Sequence, residues 1–399
     1  MARKWLEIVV LSLATISVSS ASVYVVDSVT GNDNNSGLLQ SGSNPWSQAK
    51  KTITAAINAA SSGDDVWVAG GQFSFGTEIM PLPLAGKQLF IGGGFKVGDS
   101  SRSQAKPAVV PTEVISPLTF LDLQSGLENQ STFDGLRFIY SPFTSGGAIS
   151  TLFNIIGGAT QFSRCWFSKL NTGANGPAVF IADGGSPKLV QNVFLSCSAD
   201  LPANGVFEFI NVSAADVHSN LFADSSSLNP FRSLMYVKGT AKITNNSFFY
   251  SSMPALKLDS STAVLANNLF IGSQILSLGT WVVQTPSSIV TAGHNAFQYQ
   301  LHATFPANSP YSTLATAAGD LFVTNDAGVV QPSGSWAAPP NFHLKANSVC
   351  INKAAPSQVL HPLDLDGQSR ALGLFNLGNE IGCDEVWTSL ADIMFAGNV

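Results

Sequence analysis

Charge is the scarcest property of this chain. Only 11% of its 399 residues are charged, 19 Lys and Arg against 25 Asp and Glu, where a globular domain usually carries about a quarter. A net charge of −6 over this length gives no basic surface for nucleic acid or anionic lipid. Cysteine is also rare, with four residues, a number that suits an oxidising compartment but does not by itself establish disulfides. The sequence contains no G-x-S-x-G, H-E-x-x-H, CxxC or phosphate-cradling P-loop, so the common local signatures of hydrolase, metalloprotease, redox and nucleotide chemistry are missing. Past the first 21 residues no apolar run is long enough to span a bilayer.

What is abundant is Gly, Ser, Asn and Phe, within a chain that is 45% hydrophobic. Core material is therefore ample, and the small polar residues suit many short turns. Residues 1–21 read as a signal peptide: Arg3 and Lys4, an apolar run from Ile8 to Ile16, then Ser19 and Ala21 before the cut. A location outside the cytoplasm is the expectation, with no membrane span in the mature chain.

Phenylalanine recurs in one local setting. Phe138, Phe167, Phe194, Phe222, Phe248, Phe270 and Phe297 follow one another at intervals of 22 to 29 residues, a period that signals stacked supersecondary units. Within each unit the pattern has period two, the signature of a strand. Five and seven residues before the Phe stand inward-facing candidates such as Leu189 and Pro187, or Val217 and Ala215. Two residues before it stand Asn192, Asn220, Asn246, Asn268 and Asn295. A second strand precedes each of these, as in AVFIAD, VFEFIN, LMYVKG and ALKLDS. One such coil cannot bury its own apolar face, so coils must stack, and identical residues then lie above one another. The Phe column is expected to stack, face to face or edge on. The Asn column is expected in a tight turn, tolerating a left-handed backbone and bonding along the stack. The fold class expected is all-β, a right-handed parallel β-helix with a short amino-terminal capping helix.

The segments VYVVDSVTGNDNNSG and ITAAINAASSGDDVWVAGGQF, the later LFIGGGF, and NFHLKANSVCINKA followed by DLDGQSRALG and IGCDEV resemble the caps of secreted bacterial β-helix proteins of the pectate-lyase-like superfamily. The resemblance implies a fold but no single activity, because that superfamily mixes lyases, hydrolases, adhesins and proteins of other roles. It divides the chain into a signal peptide (1–21), an amino-terminal cap with first coils (22–110), regular coils (111–300), a loop-rich insertion (301–340) and a carboxy-terminal cap with tail (341–399). Cys350 and Cys383 fall in the two matching segments of the end cap and are expected to pair. Cys165 and Cys197 lie out of register in adjacent coils and are expected free and buried.

β-Helices that cleave polysaccharide place the site on an outward strand face, with Lys, Arg or His as base and Ca²⁺ as an optional partner of a uronate. Six and four residues before the Phe, the outward positions bring Lys188, Asp216, His218 and Lys242 into one polar patch, the catalytic candidates. The bland reading of that patch is an exposed charge ladder. A second column at strand ends, Asp183, Asn211, Lys238 and Asp259, holds the substrate-binding candidates, where turns alone would also call for polar residues. Asp364 and Asp366, like Asp27 and Asp33, are weak cation candidates with too few oxygen ligands for a calcium site by themselves. Three functions stay open: recognition of an extended polysaccharide or other cell-surface component, a polysaccharide lyase or hydrolase working in a groove, and a structural spacer or adhesin.

Overall fold

The computed structural model describes residues 21–323 except 125, 142–150, 173–177, 200–203, 226–231, 250–252, 273–280, 299–311 and 316, together with 344, 348–350, 353–355 and 381–382. From Leu121 to Gln298 each coil contributes a strand to each of three parallel faces. The first face runs through Leu121–Leu123, Phe153–Ile156, Phe180–Asp183, Leu256–Leu258 and Val282–Gln284. The second runs through Asp65–Ala69, Phe90–Phe95, Thr132–Asp134, Gln161–Ser163, Lys188–Val190, Thr262–Ala266 and Ile289–Gly293. Two long strands, Gly205–His218 and Ser233–Thr244, turn the corner between these faces and belong to both. The third face is a separate sheet of ten strands, from Gly71–Ser74 to Leu321–Val323. This is the parallel β-helix expected from the Phe period.

The Phe column stands in register along the third face. Phe138, Phe167, Phe194, Phe222, Phe248, Phe270 and Phe297 pair coil to coil, and Phe322 extends the column within the stretch expected to be a looped insertion. The rings stack nearly parallel, 4.7 Å apart between Phe194 and Phe222 and 5.0 Å between Phe222 and Phe248. Rings from the first face meet them edge-on, as Phe207 does against Phe194 at 4.9 Å. One continuous apolar core results, in which Leu189, Val217, Ile243 and Leu265 of the second face are also buried.

The Asn column does stack, but it is not left-handed. The positive φ belongs to the residue before each Asn: Gln191, Ser219, Asn245, Asn267 and His294 all lie between 55° and 58°. The corner between second and third faces has two residues, and the first makes the left-handed turn. Placing the following Asn on ordinary backbone frees its amide to point along the stack. Asn192 Nδ2 donates to Asn220 Oδ1 (2.9 Å), Asn220 to Asn246, Asn246 to Asn268 and Asn268 to Asn295 (3.0 Å each). Each backbone N–H in the row donates to the same oxygen.

At the amino end, Ile53–Ala59 forms the short helix expected between Ser47 and Ala60, and Ile53, Ala56 and Ile57 join the main core. Thr52 caps it by accepting from Ala55 N at 3.0 Å. The buried Glu78 accepts from Ile53 N and Thr54 N, both 2.8 Å, which anchors the helix to the first coils. The described residues of the 341–399 stretch lie along the flank of the third sheet. Leu344, Cys350, Ala354 and Ile381 cover outward-facing Leu195, Leu221, Phe249, Leu269 and Ile271. Asn267 fastens that cover, its amide donating to Ala355 O at 3.2 Å and accepting from Ala355 N at 2.7 Å. The strands of these coils are apolar on both surfaces because both surfaces are covered.

Candidate functional site

The second face brings together the residues read as a catalytic patch. Lys188 pairs with Asp216 and Asp216 with Lys242, while His218 lies two positions along, between Val190 and Thr244. Lys188 and Lys242 are exposed. His218 is not: its side chain is 7% exposed, with Nε2 3.9 Å from Asp216 Oδ2. The open part of the patch is thus an alternating Lys–Asp–Lys row, the geometry of a charge ladder.

The denser arrangement is on the first face. Glu208, Tyr236 and Lys257 stand on adjacent coils in one outward column, Glu208 paired with Tyr236 and Tyr236 with Lys257. Period-two alternation puts them there: Phe207 and Phe209, Met235 and Val237, and Leu256 and Leu258 flank them and enter the core. Despite facing outward, all three are enclosed, at 2%, 4% and 6% exposure. Glu208 Oε1 accepts from Asn204 N (2.7 Å) and Gly205 N (3.1 Å), and Tyr236 donates its hydroxyl proton to Asp259 Oδ2 at 2.8 Å. Lys257 Nζ lies 5.6 Å from the Tyr236 ring centre, within cation–π range.

Burial holds the Lys257 ammonium below its ordinary pKa, and the positive charge of Arg232 adds to that, against the opposing pull of Asp259 and Glu208. The native state therefore gives up this proton more readily than the unfolded chain does. Stability should rise with pH across the window between the lowered native pKa and the ordinary 10.5. Lys257→Met is expected to flatten that rise, read as urea midpoints of both proteins over the alkaline range.

The substrate-binding candidates sit beside this cluster, one of them out of register. Asp183 pairs with Ile210, and Ile210 with Lys238. Asn211 is displaced by one because a bulge follows Ile210, where Asn211 takes φ +54°. Its amide nonetheless reaches back to Asp183 Oδ1 at 3.0 Å. Asp183, Asn211 and Lys238 are exposed, and Asp259 is half-buried. Further along the same face Asn154 Nδ2 donates to Asp122 Oδ1 at 2.9 Å. The first face therefore carries an exposed polar margin around an enclosed Glu–Tyr–Lys column.

No protein-family model matches the chain, and no curated protein does. Among solved structures it is similar to the crystal structure of pectate lyase Pel9A, at 11% identity and a TM-score of 0.29, over 92% of this chain and 96% of that one. The fold rests on the coil-to-coil register described above. The chain is a parallel β-helix.

The β-helix shows no group of three or more His, Cys, Asp or Glu able to hold a metal among the described residues. Asp27 accepts from Val29 N and Thr30 N and closes its own turn, while Asp33 accepts from Lys51 N and Thr52 N and ties its loop to the start of the helix. Asp364 and Asp366 lie outside the described residues. Among the described residues no helix is long and apolar enough to cross a membrane. Cys165 and Cys197 are free and buried as expected. Burial pushes the Cys165 thiol up to about 12 and raises that of Cys197 as well. Both should resist thiol reagents at mildly alkaline pH in the native protein and react once it is unfolded in urea. Cys350 is also buried as a free thiol, its pKa pushed up to about 11. Its expected partner, Cys383, lies outside the described residues.

Proposed function

We propose that this β-helix works outside the cytoplasm and recognises an extended polysaccharide along the outer surface of its first face. The reading of residues 1–21 as an export signal supports the location. The single observation that carries the rest is the first face itself. In a chain with 11% charged residues, it gathers Asp183, Asn211, Lys238 and Asp259 beside the Glu208–Tyr236–Lys257 column on consecutive coils. Coils repeat at roughly 4.8 Å, a pitch that suits a polymer whose own units recur along its length. Fixed hydrogen-bonding groups at that pitch supply orientation, and each coil adds a further contact without new architecture.

A second reading is favoured by one specific feature. Lys257 is a desolvated amine held below its ordinary pKa beside the positive charge of Arg232, the property a general base requires to work nearer neutral pH. A lyase or hydrolase would use Lys257 to take or return a proton, with Tyr236 and Asp259 as a hydrogen-bonded pair beside it. Ca²⁺ would then be brought in with a uronate substrate.

A panel of polysaccharides, incubated with the purified chain with and without Ca²⁺, separates the two readings. Retention without product release supports recognition. Release of unsaturated uronates or new reducing ends, abolished by Lys257→Met, makes the first face catalytic. Neither retention nor release on any glycan would overturn both.

A further inference from the structure

The third face carries a second polar row, far from the first. Gln72, Glu113, Arg137 and Trp166 are paired coil to coil on its outer surface in the amino-terminal half. Gln72 Nε2 donates to Glu113 Oε2 at 3.0 Å, and the Arg137 guanidinium lies 5.4 Å from the centre of the Trp166 ring. Beyond Trp166 the same surface becomes apolar and is covered by the carboxy-terminal residues.

Beside the Gln72–Glu113 end of this row lies a shallow cavity open to the surface, of about 360 Å³. Val109, Val110 and Pro111 form its apolar side and Gln72 and Glu113 its polar side. Val109 is 36% exposed. Gly70 and Gly71 complete the lining, and neither position could carry a side chain without crowding. A Cβ on Gly70 would fall 2.4 Å from Val110 Cγ1, and Gly71 has φ +151°. Backbone and an apolar wall thus meet a coupled amide and carboxylate in one open recess.

We propose that this cavity is a subsite for a neutral hexose unit. A sugar ring is amphipathic: its C–H face packs on the Val–Pro wall while adjacent hydroxyls bond to the carboxylate and amide. The Gln72–Glu113 bond uses one amide hydrogen and one carboxylate oxygen, and a carboxylate and a primary amide each have further capacity. Charge decides the class of sugar. Glu113 is the one ionisable side chain lining the cavity among the described residues; the Arg137 guanidinium of the next coil stands over the Trp166 ring outside that lining, so the charge that meets a sugar here is the carboxylate's, which opposes a uronate. The site is on a different sheet from the Glu208–Tyr236–Lys257 column and does not depend on what that column does.

The test is saturation-transfer NMR on the full chain, with methyl glucoside, methyl galactoside and methyl mannoside as probes and galacturonate as the charged comparison. At least one neutral glycoside is expected to receive saturation, and galacturonate is not. Glu113→Ala and Gln72→Ala, the latter at an exposed position that leaves the core untouched, should each reduce the signal at least tenfold. Lys353→Ala, at an exposed position among the carboxy-terminal residues, should leave it unchanged. Silence from every neutral glycoside, a stronger signal from galacturonate, or signals indifferent to both substitutions would overturn the subsite.

Discussion

Replacing Asn246 by Ala is expected to destabilise the protein by about 2–4 kcal/mol, from buried polar groups left unmet at about 1–3 kcal/mol each. The Asn246 side-chain oxygen accepts both the backbone N–H and the side-chain amide of Asn220, each at 3.0 Å. Its own amide donates to Val217 O at 2.8 Å and to Asn268 Oδ1 at 3.0 Å. Alanine removes all four bonds at a position with no exposure. Asn246→Asp should fare no better at neutral pH, because a carboxylate keeps the acceptors, loses both donors and buries a charge. The last rung among the described residues shows where a carboxylate is tolerated. Asp320 accepts from Asn295 N at 2.9 Å and from Ala317 N at 2.9 Å, on a half-exposed residue. The final rung needs an acceptor only, so Asp can end a ladder that it would break in the middle. Urea denaturation of the two variants beside wild type checks this. Unchanged midpoints would show that the ladder carries no stability.

Phe222→Ala is expected to cost about 3–5 kcal/mol, the usual range for removing a fully buried aromatic ring. Its ring is stacked between Phe194 and Phe248 and met edge-on by Phe207 at 5.6 Å. A cavity there cannot collapse easily, because its walls are strands held in register by the coils above and below. Phe322→Ala provides the contrast. That ring closes the described column, stacks on Phe297 alone at 5.8 Å and is 50% exposed, so its loss should cost far less. Equal effects at both positions would contradict the column as the organising element of the core.

These two columns were legible in the sequence because both recur at a fixed place relative to one landmark residue. What escaped was whatever does not repeat. The left-handed corner is filled by Gln191, Ser219, Asn245, Asn267 and His294 in turn, a position defined by backbone geometry and not by residue type. Asn211 slipped by one position because a bulge after Ile210 inserts a residue that a strict period cannot anticipate. The cover over outward-facing Leu195, Phe249 and Ile271 comes from residues more than seventy positions downstream of Ile271, which no local period can reveal.

For the candidate site the lesson is sharper. Lys188, Asp216, His218 and Lys242 were found together because they keep register with the Phe, and the structure does place them together. Glu208, Tyr236 and Lys257 carry the same signal on the other strand of each coil: VFEFIN, LMYVKG and ALKLDS alternate in and out with the polar residue in the middle. Reading only the ends of those strands isolated Asp183, Lys238 and Asp259 and passed over the column beside them. The low pKa of Lys257 was not legible at all, since it depends on enclosure and on Arg232, twenty-five positions earlier in the chain.

The measurement that bears most directly on the first face is retention on immobilised polysaccharides, with two double variants run beside the wild type. Asp183→Ala with Lys238→Ala alters the exposed margin of the first face; Lys188→Ala with Lys242→Ala alters the charge row of the second. Wild type is expected to be retained on at least one glycan, the second-face variant to behave like it, and the first-face variant to elute freely. Retention lost only in the second-face variant, or absent from wild type on every glycan, would contradict recognition by the first face.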